Sequence, residues 1–299
     1  MLPTPDTSHV RFAAVYEPAE DSFLLLDALA APAETAWLHA RFAPAPPPFA
    51  SAFSTSSCNT SVPAQPDAAQ LALAPPSPPP LVVEIGPGSG VVLAFLAANA
   101  PALLGRADAL TLGVDANPLA CSATHATLAR NAPAAAQAPV LGAVAGDLTA
   151  PLRARSVDVL VCNPPYVPSE EIAPLVAAGA DDVAGGDGDG EGGTSAQRRF
   201  ERDMRALALA TDGGRDGMEV TGRLLEQLDS ALSARGVAYV LLCARNRPED
   251  VVRGVQTWGP AWRVSTVKTS GRQGGWERLQ IVRIERVVKA GGAFEAGVG

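Results

Sequence analysis

From Leu81 onward, short runs of aliphatic and β-branched residues alternate with stretches of helical period. The runs Leu81–Ile85, Leu110–Val114, Val140–Ala145, Val157–Cys162, Val237–Cys243, Trp262–Lys268 and Arg278–Ile284 read as seven strands. Between them, Val91 to about Ala98, Asn117–Asn131, Phe200–Ala210 and Glu219–Ser233 read as helices. This alternation predicts an α/β fold, Rossmann-like, with a seven-stranded, mostly parallel sheet and helices on both faces. Ahead of it, Phe23, Leu24, Leu25, Leu26, Ala28 and Leu29 form a helix-like apolar run. Pro18, Glu20 and Asp21 precede that run and suit a helix N-terminus.

Two segments break the pattern. Residues 44–80 shift to Pro, Ala and Ser, with Pro46-Pro47-Pro48 and Pro75-Pro76-Ser77-Pro78-Pro79-Pro80. Such a composition can bury little and reads as a disordered insertion. Residues 179–193 are Gly-rich and acidic and interrupt the crossover after the fourth strand. The expected organisation is an N-terminal helical segment at 1–43 packed on the core, the insertion at 44–80, and a main domain at 81–288. That domain contains the insertion 179–193, and a disordered tail follows at 289–299.

Composition narrows the class. The net charge is −8, and five of the acids (Asp181, Asp182, Asp187, Asp189, Glu191) sit in the Gly-rich stretch. Without them the remainder carries −3, not the basic excess of a duplex DNA binder. No run of about 18 apolar residues lacks a charge or proline, so no membrane span is expected. The start, Met1-Leu2-Pro3-Thr4-Pro5-Asp6, has no basic flank or apolar core, so no secretory signal is expected. Cys58, Cys121, Cys162 and Cys243 form no CxxC pair, which points to buried thiols in a reducing compartment and to no metal site.

Glu84-Ile85-Gly86-Pro87-Gly88-Ser89-Gly90 lies between the first strand and its helix. Glycines there let the backbone turn sharply and approach a ligand. A dinucleotide oxidoreductase would carry GxGxxG at this place. Here the spacing is GxGxG, opened by an acid, a pattern characteristic of methyltransferases. Asp115 follows the second strand, where an acid can accept both hydroxyls of a ribose. Asp147, in Gly146-Asp147-Leu148, follows the third strand, where class I methyltransferases contact the adenine amino group. Three acids at three successive strand ends point to S-adenosylmethionine as cofactor, with Glu84, Gly86, Gly88, Gly90, Asp115 and Asp147 around it.

After the fourth strand comes Asn163-Pro164-Pro165-Tyr166, the most specific feature of the chain. Two adjacent prolines stiffen the backbone and remove donors, so a carbonyl is presented to the cleft. An amide nitrogen is a poor nucleophile because its lone pair is delocalised. The Asn163 carboxamide oxygen and the Pro164 carbonyl can each accept one hydrogen of a substrate NH2 and hold the nitrogen in line with a methyl group. Tyr166 would pack on the flat face of the substrate group. This assigns an S-adenosylmethionine-dependent N-methyltransferase. A nucleic-acid amino methyltransferase would want a basic groove and a base-reading domain, which no segment supplies. An inactive cofactor-binding scaffold would want a decayed tetrapeptide.

With these motifs the chain resembles the HemK-like proteins, specifically the eukaryotic release-factor glutamine methyltransferases. The resemblance covers Tyr16 to about Ala30 and Leu81 to Ile284 apart from the acidic insertion. It is carried by Tyr16-Glu17-Pro18-Ala19-Glu20-Asp21-Ser22-Phe23-Leu24-Leu25-Leu26-Asp27, by Gly213-Gly214-Arg215-Asp216-Gly217, and by Ser270-Gly271-Arg272 with Glu277. It implies methylation of the glutamine side chain in the Gly-Gly-Gln loop of the eukaryotic class I release factor. Protein-lysine (histone) methylation stands behind that, since the motif offers no general base for an ammonium. By position it adds Ser22 and Leu148 to the cofactor contacts and gives the substrate amide to Asn163. It implies a heterodimer with a small zinc-binding activator subunit, in the cytoplasm and with the nucleus as a further compartment. The third strand, at a sheet edge in this strand order, is apolar and uncharged and would suit such a partner.

Overall fold

The computed structural model describes residues 2–44, 77–132, 140–172, 195–271 and 278–288. Most of the 44–80 insertion, the acidic stretch 179–193, the tail 289–299, Cys58, Arg272 and Glu277 lie outside the described residues.

Seven strands form one sheet: β1 (Leu81–Ile85), β2 (Leu110–Asp115), β3 (Val140–Ala145), β4 (Val157–Cys162), β5 (Leu232–Cys243), β6 (Trp262–Thr269) and β7 (Leu279–Arg286). Their order is β3-β2-β1-β4-β5-β7-β6, with β7 antiparallel to both of its neighbours and the remaining pairs parallel. This is the Rossmann-like methyltransferase arrangement expected. Chain order reverses between β1 and β4, and a cleft opens there beyond the carboxyl ends of the strands.

The central strands are apolar on both faces because helices cover both. All six residues of β4 are buried. Val82, Val159, Val161, Tyr239 and Leu241 point into one core, with α1 (Glu20–Leu29), α2 (Pro32–Phe42), α3 (Val91–Ala98) and α4 (Ala100–Leu104). Val83, Leu160, Cys162, Val240 and Leu242 point into the other. That second core takes in Leu224 and Leu228 of α7 (Glu219–Ala231) and Val251 and Val255 of α8 (Pro248–Gln256). The remaining helices are α5 (Pro118–Asn131) and α6 (Ser195–Thr211). Among the described residues no helix is long and apolar enough to cross a membrane, and Cys121, Cys162 and Cys243 are buried free thiols.

Several boundaries depart from the sequence reading. The first helix begins at Glu20, two residues after Pro18, with Ala19 as its N-cap. α2, α4 and α8 were not anticipated. The apolar side chains of α8 are mostly valines, which blur a helical signal, although Pro248, Glu249 and Asp250 mark its start. β5 begins at Leu232 rather than Val237, because a register shift against β4 absorbs Ser233–Gly236.

The N-terminal helices are tied to the sheet by a buried polar clamp. Both carboxylate oxygens of Glu34 on α2 take the Arg283 guanidinium of β7 at 2.8 Å, and the Tyr239 hydroxyl of β5 donates to the same carboxylate. Burial, and then the Glu34 charge, push the Tyr239 phenol well above its ordinary pKa, so it stays a neutral donor. Trp37 is flanked by Arg283 and Arg41, at 3.9 and 4.9 Å from its ring centre. Replacing Glu34 by alanine takes from Arg283 its closer carboxylate and leaves it buried with Glu285 alone, at 3.5 Å. It is expected to cost about 3 kcal/mol in urea-unfolding free energy. An unchanged unfolding midpoint would mean that the Arg41 contacts and the apolar packing of α2 hold the helix without this clamp.

Candidate active site

The cleft holds a cavity of about 330 Å³, lined by the ends of β1, β2 and β4, the turn after β3, and residues of α1, α6 and α7. Ser22, Glu84, Gly86, Gly88, Asp115, Asp147, Leu148 and the run Asn163 to Tyr166 all face it. Gly90 does not. Its φ of +79° starts α3, and a Cβ there would sit 2.8 Å from the Thr124 Cα of α5, so this glycine permits close helix packing. Gly86 and Gly88, also at positive φ, have no atom within 4 Å of a Cβ position and border open space. α5 holds this loop through Thr124 Oγ1 to the Gly88 carbonyl (3.2 Å) and Thr127 Oγ1 to the Ser89 carbonyl (2.6 Å).

The acids differ in environment. Asp115 ends β2 and accepts the backbone N–H of Asn117 at 2.8 Å on one oxygen and that of Gly88 at 3.0 Å on the other. Each oxygen keeps a lone pair for a further donor. Burial raises its pKa to about 6, although those two N–H groups pull the other way. Glu84 is fully buried, and desolvation pushes its pKa well up against the backbone N–H of Leu93 in the first turn of α3. Its Oε2 has no partner, and in a cavity wall such an orphan calls for a donor from a ligand. Asp147 pairs with Arg223 of α7 across the cavity mouth. Leu148 beside it adopts a φ of +50°. Burial raises the Cys162 thiol, so no thiolate is available in the cleft.

Asn163 follows directly after β4. Its Nδ2 donates to Asp21 of α1 at 2.9 Å, while its Oδ1 is buried and has no partner, and the residue lines the cavity. The loop carrying it is braced from behind. A Cβ on Gly217 would fall 2.0 Å from the Tyr166 carbonyl, and one on Gly213 would fall 2.5 Å from the Pro165 carbonyl. Gly213-Gly214-Arg215-Asp216-Gly217 is therefore glycine-rich so that two backbones can touch. Asn246 fastens the junction, with Nδ2 shared among the carbonyls of Tyr166, Asp216 and Gly217 at 3.1–3.3 Å. Asp21, Arg223 and Asn246 were not assigned from sequence. Asp21 lay inside a quoted motif, but nothing local signals the other two.

These residues fit S-adenosylmethionine. Open space over two glycines receives a close-packed ligand, Asp115 offers paired acceptors for a diol, and the orphaned Glu84 oxygen awaits a donor. Because the ionised form of Asp115 is the better acceptor, affinity should be full above its pKa and fall as the pH drops through about 6. Calorimetric titration across that range tests this, and a flat profile would remove Asp115 from the diol contact.

No family model matches the chain. Methyltransferase HEMK2 of Mus musculus is 30% identical over 291 residues, covering 95% of this chain and 97% of the mouse protein. The human HEMK2 is also 30% identical, over 95% of this chain and 96% of the human protein. The eRF1 methyltransferase catalytic subunit mtq2 of Schizosaccharomyces pombe is 30% identical over 96% of this chain and 97% of that one. Among solved structures, magnesium protoporphyrin IX methyltransferase from Synechocystis PCC 6803 with bound SAH matches at 12% identity and a TM-score of 0.33. It covers 70% of this chain and 75% of that one, too remote to add to the sheet order. With identity sustained along nearly the whole length of these relatives, the chain belongs to the HEMK2 family of methyltransferases.

Proposed function

We propose that this enzyme methylates the side-chain amide nitrogen of the glutamine in the Gly-Gly-Gln loop of the eukaryotic class I translation release factor, using S-adenosylmethionine. The observation that carries the reading is the unpaired Asn163 Oδ1, a buried acceptor on a residue that lines the cavity, with no donor of the protein's own. A substrate NH2 supplies that donor. The relative from fission yeast, named as an eRF1 methyltransferase, supports the choice of release factor.

S-adenosylmethionine, when bound, supplies an electrophilic methyl group on its sulfonium. The protein's part is to make a weak nucleophile attack. Asn163 Oδ1 and the Pro164 carbonyl take one amide hydrogen each, fixing the nitrogen and letting its lone pair leave conjugation as the new bond forms. The nitrogen would gain the methyl group as the sulfonium's S–CH3 bond breaks to leave a neutral thioether, and would pass its surplus proton to solvent. Tyr166 packs beside the planar amide, and the buried walls of the cleft keep water out.

The activator belongs to the same proposal. β3 ends the sheet, and Val140, Leu141 and Val144 are exposed along it. Leu141 is 51% exposed and sits at a register shift, where β2 pairs with Val140 and then with Gly142. An unpaired apolar edge is a template for another chain, which suits the small zinc-binding activator. The yeast relative's description as a catalytic subunit points the same way. Leu141→Arg should abolish co-purification with the activator while the catalytic chain stays folded, and full retention of the partner would refute this face.

The decisive test is tritiated-methyl transfer to the release factor and to its Gly-Gly-Ala variant, with activator present. Label should appear on the wild-type factor only. Asn163→Ala should lower turnover on the order of 100-fold, with cofactor affinity within severalfold of wild type. Near-normal turnover in that variant would remove the mechanism.

A further inference from the structure

Asn163 can serve as an acceptor only if its carboxamide is turned one way. Both ends of a carboxamide have nearly the same shape, so packing alone does not choose between them. The choice is made by Asp21, a residue 142 positions earlier in the chain. Asp21 is 3% exposed, and every hydrogen bond it makes through its side chain is one it accepts. One carboxylate oxygen takes the backbone N–H of Ser22 at 2.6 Å and the Ser22 hydroxyl at 3.2 Å. The other takes Asn163 Nδ2 at 2.9 Å, the Tyr16 hydroxyl at 3.1 Å and the Tyr166 hydroxyl at 3.4 Å.

We propose that Asp21 is a positioning residue for methyl transfer, its acceptor-only carboxylate holding the Asn163 amide with Nδ2 outward to itself and Oδ1 toward the substrate nitrogen. The inference rests on the acceptor role of Asn163 given above. An ionised carboxylate has no hydrogen to give, so the carboxamide turned the other way would set two acceptors against each other in a buried site. Tyr166 is drawn into the same constraint, because its hydroxyl and the Asn163 amide share one oxygen of Asp21. Burial of the Asp21 carboxylate away from water strengthens each of these bonds.

A reciprocal exchange tests this. In Asp21→Asn, one acceptor at position 21 must serve both the Ser22 N–H and Asn163 Nδ2, and it cannot. The backbone donor is the fixed one, so the new NH2 turns toward Asn163 and drives its amide over. In Asn163→Asp, two carboxylates face each other. In Asp21→Asn combined with Asn163→Asp, the amide at position 21 donates to the carboxylate at position 163, whose second oxygen again faces the substrate.

With the full chain, its activator and the release factor, each single exchange should lower kcat at least about tenfold. Cofactor Kd should stay within about threefold, and the double exchange should regain about tenfold over Asn163→Asp. A double exchange no better than Asn163→Asp, or Asp21→Asn with wild-type kcat, would overturn the positioning role. If the double exchange does not fold, as judged by far-UV circular dichroism, Asp21→Asn decides alone through its kcat at unchanged cofactor Kd. Failure of the underlying reading looks different, since there Asn163→Ala itself keeps normal turnover.

Discussion

Everything in this molecule follows from the parallel pairing of β1 with β4. Their register sets Ile85 opposite Cys162, so the next residue of each strand, Gly86 and Asn163, leaves the sheet at the same edge and side by side. The ligand loop and the NPPY loop are 77 positions apart in sequence and adjacent in space for that reason. Both strands are covered on both faces, which seals the floor of the cleft and makes any polar group there costly unless it is paired. The few polar atoms left without a partner in its walls, Glu84 Oε2 and Asn163 Oδ1, therefore stand out as the places where a ligand or substrate must donate.

The same burial sets the electrostatics. Asp115 and Glu84 lie close enough to the apolar sheet that desolvation raises both, while Asp147, a third exposed at its side chain, keeps company with Arg223 at the mouth. The acids thus grade from a fully buried carboxyl to a solvated ion pair along the cleft. A cofactor with a diol and a charged amino-acid end suits such a gradient better than a uniformly acidic pocket would.

Rigidity at the reacting end is supplied from outside the tetrapeptide. Prolines stiffen the loop along its own length. What holds it in place is contact with two other segments. Gly213 and Gly217 let a second loop lie against its carbonyls, and α1 presents Asp21 to its amide. α1 in turn shares one apolar core with α2, α3 and the sheet, and the Glu34–Arg283–Tyr239 clamp secures α2. The N-terminal helices are thereby part of the active site and not an appendage to it.

By itself the sequence determined whatever depends on near neighbours along the chain. Five of the seven strands, β1, β2, β3, β4 and β6, begin where their predicted runs begin, and for β1 and β4 the reason is that a strand buried on both faces is continuous in composition. That Gly86, Gly88, Asp115 and Asn163 lie at the cleft was legible because turn chemistry and strand ends are local signals. α4 was not, being five residues long, nor was the packing of Gly90 against Thr124, which arrives from another helix. Tertiary structure alone decided the groups that act at a distance. Asp21 reaches Asn163 across 142 positions, Asn246 reaches Tyr166 across 80, and Arg223 reaches Asp147 across 76. No periodicity or spacing encodes such pairs. They exist because burial brings strand ends and helix ends to one cleft and leaves each polar group there to find its partner among whatever the fold delivers.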